Sequence, residues 1–516
     1  MNEDVACKRE DGTKVVGEQG WQKLMLEGGG AYEVAWDTAA AVTAMGPLVY
    51  FVQYLNAGGL MDGLIADCPL VYTSGNAPRV RDVIGTLLLA ILNGQTRYAH
   101  INGLRQDRVS AEVLNVSKIV SEDSVRRALG RGDEAAWDAW LRRHERAVWE
   151  PLLAESYVLD IDSTVKPLYG HQEGAELGYN PQKPGRPSHN YHTYFVGSLR
   201  LVLGVEVHRG KEHAGGHGMP GLWRLLDNLP PGCRPQLIRG DVSYGNERIL
   251  REAETRSQGY LFKLRQTTKV RSHLERLERL AEAWSEAGEG WQGAEVNLRL
   301  MGWSQARRCL VLRRRVDRGR TQPALPACTE FDFVQVLAAG SAYEYIVLVT
   351  NTELPLMTLA QAYRDRADCE NVFDEIKNQW GWLGFVTHDI RRCGIMARLI
   401  ALVYNWWNIF TRLAQPDRHL EAATSRPLLL YAVGRLVTTA RRKIVRVTST
   451  HAMADRIQAV LTRIGDFFNR LRTTAEQLSP EAVWAIILSV AFRVWLNGKP
   501  LHPVAAGAQT LLHLTA

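Results

Sequence analysis

Residues Ala362 to Trp382 read AYRDRADCENVFDEIKNQWGW. No Pro interrupts the stretch and no Gly precedes Gly381, so its many good helix formers predict one helix. Within it Tyr363, Arg366, Glu370 and Lys377 stand at spacings of three, four and seven. At 3.6 residues per turn these offsets share one face. That face carries a carboxylate flanked by two cations, with a phenol at one end. A carboxylate takes a divalent metal, and Arg and Lys grip phosphate. The plainer reading is a solvated face of i,i+4 ion pairs, each worth about 0.2–0.5 kcal/mol. On this helix alone the plainer reading is the stronger.

Two upstream segments change the balance. Ser156 to Asp162, SYVLDID, reads as a buried strand ending in acid. Asp160 and Asp162 are two apart, so both emerge on one face. Carboxylates ending an apolar strand are costly unless paired or bound to a cation. Capping the Ser163–Thr164 turn is the plainer role. Pro235 to Gly240, PQLIRG, is a further strand, followed by Asp241 and a helix from Asn246 to Thr255. An Asp at a strand end, before a small-residue turn and a helix, is where an α/β sheet places its chemistry. Capping that helix is again the plainer role.

The pattern Tyr-x2-Arg-x3-Glu-x6-Lys resembles the signature of one large branch of bacterial DDE-type transposases, the cut-and-paste insertion-sequence enzymes, at all four positions. The resemblance spans roughly residues 150 to 385. It implies a ribonuclease-H-like α/β core, a mixed sheet with flanking helices, with Asp162, Asp241 and Glu370 as catalytic metal ligands. The family places its first Asp before a small residue and a Thr. Asp162-Ser163-Thr164 matches, which selects Asp162 and keeps Asp160 as the alternative. The resemblance further implies two Mg²⁺ ions per site, replaceable by Mn²⁺, with Asp162 bridging both. Two such ions about 3.5–4 Å apart stabilise the attacking and leaving oxygens of a phosphodiester. Tyr363, Arg366 and Lys377 then hold the phosphate and end nucleotides of the cleaved DNA. The implied partners are transposon terminal inverted repeats and target DNA, bound by a homodimer. The implied reaction is hydrolysis of one strand, attack of the freed 3′-hydroxyl to leave a hairpin, hairpin opening and strand transfer. A hairpin step calls for a flipped base stacked on an aromatic ring. Trp303 and Trp291 are candidates, although core packing is the stronger reading of both.

Bulk properties agree with a nucleic-acid enzyme. The net charge of +7 and pI near 9.0 favour a polyanionic partner. Ile390 to Arg446 holds eleven Lys or Arg against Asp417 and Glu421, and Arg299 to Arg320 holds eight Arg against Asp317. Lys183 and Arg186 make the Pro- and Gly-rich loop 178–190 basic, just after the first Asp, within reach of a phosphate. Arg126 and Arg127 lie in a helix, SEDSVRRALGR, capped by Ser121 or Asp123, the second of a pair resembling a helix-turn-helix. His213 and His217 have i,i+4 spacing, but Gly215, Gly216 and Gly218 argue against a helix there, and no third ligand is in place for zinc. The seven cysteines are scattered, without a CxxC pair, which fits a reducing cytoplasm. The longest apolar run, Ala482 to Phe492, is too short to span a bilayer. The expected location is the bacterial cytoplasm, on the nucleoid when DNA is bound, with no membrane partner.

The chain divides into five expected segments. Residues 1–148 form a mostly helical DNA-end-binding domain, after a loose arm of about 40 residues with some β character. Residues 149–265 form the first part of the core, and 343–388 the second part, with the Glu370 helix. The 128 residues between Asp241 and Glu370 require an insertion, which 266–342 supplies as a protruding β-rich subdomain. Residues 389–516 form a helical region for DNA binding or dimerisation, with helices at 389–412, 428–443, 452–471 and 480–495 and an irregular tail from Gly498. Two competing classes are a transposase-derived DNA-binding protein without transposition and a glycosidase with paired carboxylates. The first is disfavoured by three acids being present. The second leaves the Arg/Lys face without a task.

Overall fold

The computed structural model describes residues 22–26, 30–34, 39–181, 183–316, 333–336, 342–475 and 478–501. Strands β1 (Gln22–Leu26) and β2 (Gly30–Val34) form an antiparallel hairpin, and β3 (Val42–Thr43) follows. Then come α1 (Leu48–Ala57), α2 (Leu60–Ala66), α3 (Val80–Leu92), α4 (Ile101–Leu104), α5 (Arg108–Val113), α6 (Glu122–Leu129) and α7 (Glu134–Trp149). The most apolar of these helices is α3, which is buried on nearly every side. Ser121, rather than Asp123, caps α6 by accepting from the Ser124 N–H at 3.3 Å.

The central sheet begins with β4 (Val158–Pro167), β5 (Ser188–Val196) and β6 (Leu201–Arg209), followed by α8 (Ala214–Asp227), β7 (Leu237–Gly240), α9 (Glu247–Thr255) and β8 (Tyr260–Lys263). Its remaining members are α10 (Thr268–Glu278), β9 (Ser285–Glu286), β10 (Trp291–Leu298), β11 (Arg307–Val316), β12 (Phe333–Val336) and β13 (Ala342–Thr350), leading to α11 (Leu356–Arg364) and α12 (Ala367–Gln379). The strand order is β6-β5-β4-β7-β8-β13-β11-β10-β9, with β12 also paired to β13. β4–β5 and β5–β6 are antiparallel, whereas β4–β7 and β7–β8 are parallel. This mixed order over the first five strands is the expected ribonuclease-H-like sheet.

Alternation along each strand assigns the two faces. Leu237, Leu261, Leu310, Leu312 and Leu348 pack under α11 with Leu356, Leu359 and Tyr363. Their neighbours Ile238, Tyr260, Phe262, Val311, Val347 and Val349 belong to the larger core. Coverage of both faces explains why β5 is buried along its whole length.

Several expectations change. β4 continues five residues past Asp162, so Asp162 lies within the strand rather than at its end. The parallel ladder with β7 does stop just before it, at Ile161–Gly240. The described strands of the 266–342 insertion are continuous with the core sheet, where a separate protruding subdomain was expected. They extend it from β13. Helix α8 starts at Ala214 and includes Gly215, Gly216 and Gly218. The glycines are there for close approach: a Cβ would stand 2.6 Å from the Ser243 carbonyl at Gly215 and 3.0 Å from the His192 ring at Gly218. The Ala362–Trp382 stretch is two helices, broken at Asp365–Arg366, where the hydrogen bonds tighten to Arg366 N–H to Tyr363 O and Cys369 N–H to Arg366 O.

The C-terminal part comprises α13 (Ile390–Ala414), α14 (Ala422–Leu429), β14 (Gly434–Thr439), β15 (Arg442–Val447), α15 (Ala454–Ala475) and α16 (Pro480–Ala491). The helix expected over 428–443 is instead the end of α14 and a β-hairpin, which pairs with β3. Tyr404, Trp406 and Trp407 of α13 are each 1% exposed, a core stripe whose members contribute about 1.5–3 kcal/mol or more apiece. α13 joins the two ends of the chain. Arg398 pairs with Glu145 and Asp138 on α7, and the Asn405 side chain bridges the backbone of Val202 on β6. Among the described residues no helix is long and apolar enough to cross a membrane. The first 21 residues and those after 501, including the expected tail, lie outside the described residues.

Candidate active site

Asp160 and Asp162 do share one face of β4, the face on which α12 lies, yet their environments differ. Asp160 is buried and taken. Arg239 on β7 donates through Nε at 2.5 Å and Nη2 at 2.8 Å, and the Cys369 thiol of α12 donates at 2.8 Å. The register explains it, since Arg239 sits directly across the parallel ladder from Asp160. Arg239 also donates to the Ala362 carbonyl, which ties the end of α11 to the sheet. Burial, then Asp160, pushes the Cys369 thiol pKa up, so it stays a donor.

Asp162, two residues on, is partly open. Its Oδ1 lies 3.5 Å from the Arg366 guanidinium, and the same guanidinium donates to Glu370 at 2.9 Å. Arg366 is the residue before α12, and its side chain is only 12% exposed. Burial opposes its charge, but Asp162, Tyr363, Asp241 and Glu370 together outweigh burial and raise its pKa. Asp241 stands one residue past β7, half-buried, with Oδ1 accepting from the Ser243 N–H at 2.9 Å. Asp241 and Asp162 also reinforce the burial that raises the pKa of Tyr244. Asp162 and Glu370 therefore flank one guanidinium, and the negative charge of Asp241, one residue past β7, adds to what favours it. Glu370 is the exposed member, with two-thirds of its side chain in solvent.

The remaining expected residues lie around this point. Tyr363 is buried at the end of α11 and Lys377 is half-buried in the last turn of α12. Lys183 and Arg186 are exposed and lie over the Tyr169 ring at 4.9 and 4.8 Å. They sit beyond the far end of β4, about 17 Å along the strand from Asp162. Arg126 pairs with Glu122 and Asp123 of its own helix. Arg126 and Arg127, with Arg392 and His388, line a cavity of about 630 Å³ between α6 and the start of α13. Trp291 and Trp303 are core residues, 4% and 8% exposed, lying under Arg314 and Arg307, so neither offers a face to a base. His213 and His217 pack ring against ring across the start of α8.

Sequence reasoning missed three residues that hold the site in place: Arg239, Lys166 and Glu375. Lys166, four residues past Asp162 on β4, is buried and donates to Tyr191 Oη at 3.0 Å and the Gly384 carbonyl at 2.6 Å. Burial lowers its pKa to about 8. Glu375, one turn past Glu370, is buried and accepts from Trp380, His419 and the Ala422 N–H. Arg239, after the apolar pair Leu237–Ile238, was the one of the three with a local signal; Lys166 and Glu375 stand among other polar residues.

The family model described as Transposase DDE domain group 1 matches residues 74–468. The chain belongs to this DDE transposase family. The match runs from the N-terminal helices through the acidic site into α15. No curated protein is significantly similar. Among solved structures, a piggyBac transposase synaptic complex with hairpin DNA is similar at 10% identity and a TM-score of 0.38, over 86% of this chain and 85% of that one.

DDE transposase domains generally use divalent metal ions, and carboxylates are the donors such ions take: Asp162 and Glu370 face one cation here, with Asp241 at the end of the neighbouring strand. They are not closed around a single point, since among the described residues no three His, Cys, Asp or Glu side chains stand close enough to hold a metal. The Arg366 guanidinium takes the intervening place.

Proposed function

We propose that this DDE transposase is a bacterial insertion-sequence enzyme of the cut-and-paste type, cleaving DNA at the element's ends and joining them to target DNA through a hairpin intermediate. The observation that carries the reading is that Asp162 and Glu370, from β4 and α12, both face the Arg366 guanidinium, with Asp241 just past the adjacent strand β7. In this reading Asp162, Asp241 and Glu370 hold Mg²⁺, which supplies charge stabilisation to the attacking and leaving oxygens. Arg366 gives up its carboxylates and takes a backbone phosphate, a partner its planar fork fits equally well. Lys377, on the same side of α12, adds a second phosphate contact, and Tyr363 orients the end nucleotide. Lys183 and Arg186 meet the duplex further along, with Arg126 and Arg127 beyond. Two copies bridge the two terminal repeats, and the enzyme works on the nucleoid in the cytoplasm.

The test is strand cleavage of a duplex carrying the inverted repeats that flank the reading frame, with and without Mg²⁺. Metal-dependent nicking at the repeat, followed by a hairpin on the element end, is the expected result. DNA binding without cleavage under any divalent ion would reduce the chain to a transposase-derived binding protein.

A further inference from the structure

We propose that the β14–β15 hairpin is a second duplex-DNA contact, a basic ribbon that lies along a groove and meets phosphates outside the acidic site. It rests on the DNA-processing reading above and adds a surface to it. Residues 434–447 read GRLVTTARRKIVRV, with Arg435, Arg441, Arg442, Lys443 and Arg446, and no acid lies between Glu421 and Asp455. Every residue from Thr438 to Ile444 is exposed. A two-stranded ribbon has the width that a major groove admits.

In the two other arginine-rich stretches many of the described cations are already paired. Arg307 is spent on Glu247 and Glu254, Arg308 on Glu295, Arg313 on Glu278 and Arg314 on Glu344. On α13, Arg398 is spent on Glu145 and Asp138, and Arg392 on Asp389. In the hairpin, Lys443 pairs with Glu112 of α5 at 2.9 Å, which turns that face toward the body. Arg441, Arg442 and Arg446 have no acidic partner among the described residues.

The register sharpens the point. Arg435 stands opposite Arg446, and Arg442 lies on the same face four pairs nearer the tip, with Ile444 between them. Like charges directly across a ladder destabilise it, and a lone hairpin is marginal in water. A row of arginines on the outward face, paid for in ladder stability, calls for a repeating anion. Duplex DNA is that anion for an enzyme of this family. Basic side chains also guard edge strands such as β15 against self-pairing. That role predicts no effect on DNA.

The test is a titration of mixed-sequence duplex DNA with the full chain across a salt series. Wild type is compared with the combined Arg441→Gln, Arg442→Gln, Arg446→Gln variant and with the corresponding triple Arg→Lys variant. The Gln variant should lose about 0.9 from the log–log salt slope, and roughly fivefold in affinity near physiological salt, for each phosphate contact removed. The Lys variant should keep the slope, and all three proteins should melt together. A Gln variant that matches wild type in slope and affinity overturns the proposal, as does a wild type that binds anionic vesicles through these residues and duplex DNA without them. If the Gln variant melts early, single Arg442→Gln and Arg446→Gln variants give the same slope reading one step at a time. The two readings fail separately. A wild type that shows the hairpin-dependent slope but never cuts DNA sinks the transposase chemistry alone. One that cuts while the hairpin variant binds normally sinks the hairpin alone.

Discussion

Asp160 and Asp162 show how far two residues of one type, on one face of one strand, can diverge. Asp160 neutralises a buried arginine, so its loss strands Arg239. Asp160→Ala should destabilise the fold by about 3–5 kcal/mol in denaturant unfolding. Asp162→Asn, Asp241→Asn and Glu370→Gln should melt like wild type and bind end DNA, while cleavage falls to background. Full cleavage by any of the three removes that residue from the chemistry. Arg366→Gln separates resting from working states. Without the guanidinium, calorimetry should find tighter Mg²⁺ binding in the absence of DNA, whereas end-DNA affinity and its salt slope should drop by about one phosphate contact. Unchanged values on both counts make Arg366 a surface partner. The Tyr-Arg-Glu-Lys spacing and each strand-associated aspartate could be picked out because each is a pattern within a few neighbouring residues. What Asp160 does was not, because it depends on the β4–β7 register. Lys166 was likewise silent in sequence. Its pKa lies near 8 in the fold and about 10.4 in an unfolded chain, so between these values the unfolded state binds more protons. Stability should therefore rise with pH across that window by about 3 kcal/mol and be flat below it. Lys166→Met should abolish that rise in melts taken from pH 7 to 10.

At the scale of elements, the sequence located most strands and helices but misjudged three, each for a physical reason. The Glu370 stretch carries no breaker, and its two-helix form is set by what it packs on. α11 covers the leucine face of the sheet, while α12 reaches the Asp160 side. α8 was cut short by its glycines, which read as breakers but serve close packing against β5 and the Ser243 turn. Residues 434–443 of the hairpin were read as helix although Val437, Thr438 and Thr439 are β-formers and Gly434 marks its start. Its turn holds Ala440 at φ 53°, a left-handed conformation that residue type alone would not announce. α12 is anchored at its far end by Glu375, which satisfies an indole, an imidazole and the first N–H of α14. Glu375→Ala leaves those donors buried and unpaired. A loss of about 3 kcal/mol or more in chemical denaturation is expected, together with poor cleavage through a misplaced Glu370. A variant as stable as wild type would show that α12 is held by packing alone.

At the scale of the molecule, the insertion is part of the sheet. Replacing residues 285–316 by a short linker should not leave an intact core, because it strips β11 from β13 and opens a buried ladder. Loss of the cooperative thermal transition is the expected outcome, whereas a soluble deletion protein with a wild-type core melt would return the segment to the protruding subdomain that its sequence position implies. The length of the gap was readable, but its attachment was not, since pairing between residues as distant as Arg308 and Thr350 leaves no local trace. The position of α13 has a consequence for synthesis. Arg398 meets Glu145 across 253 residues, and Asn405 meets Val202 across 203. Until α13 leaves the ribosome, α7 and β6 have each other but lack the helix that covers them both. At about 5–20 residues per second, the wait between making Glu145 and making its partner is roughly 13 to 50 s. For that interval the nascent chain carries an open apolar flank, and a message truncated before α13 yields a product for chaperones or proteases, with no half-length enzyme to act on DNA.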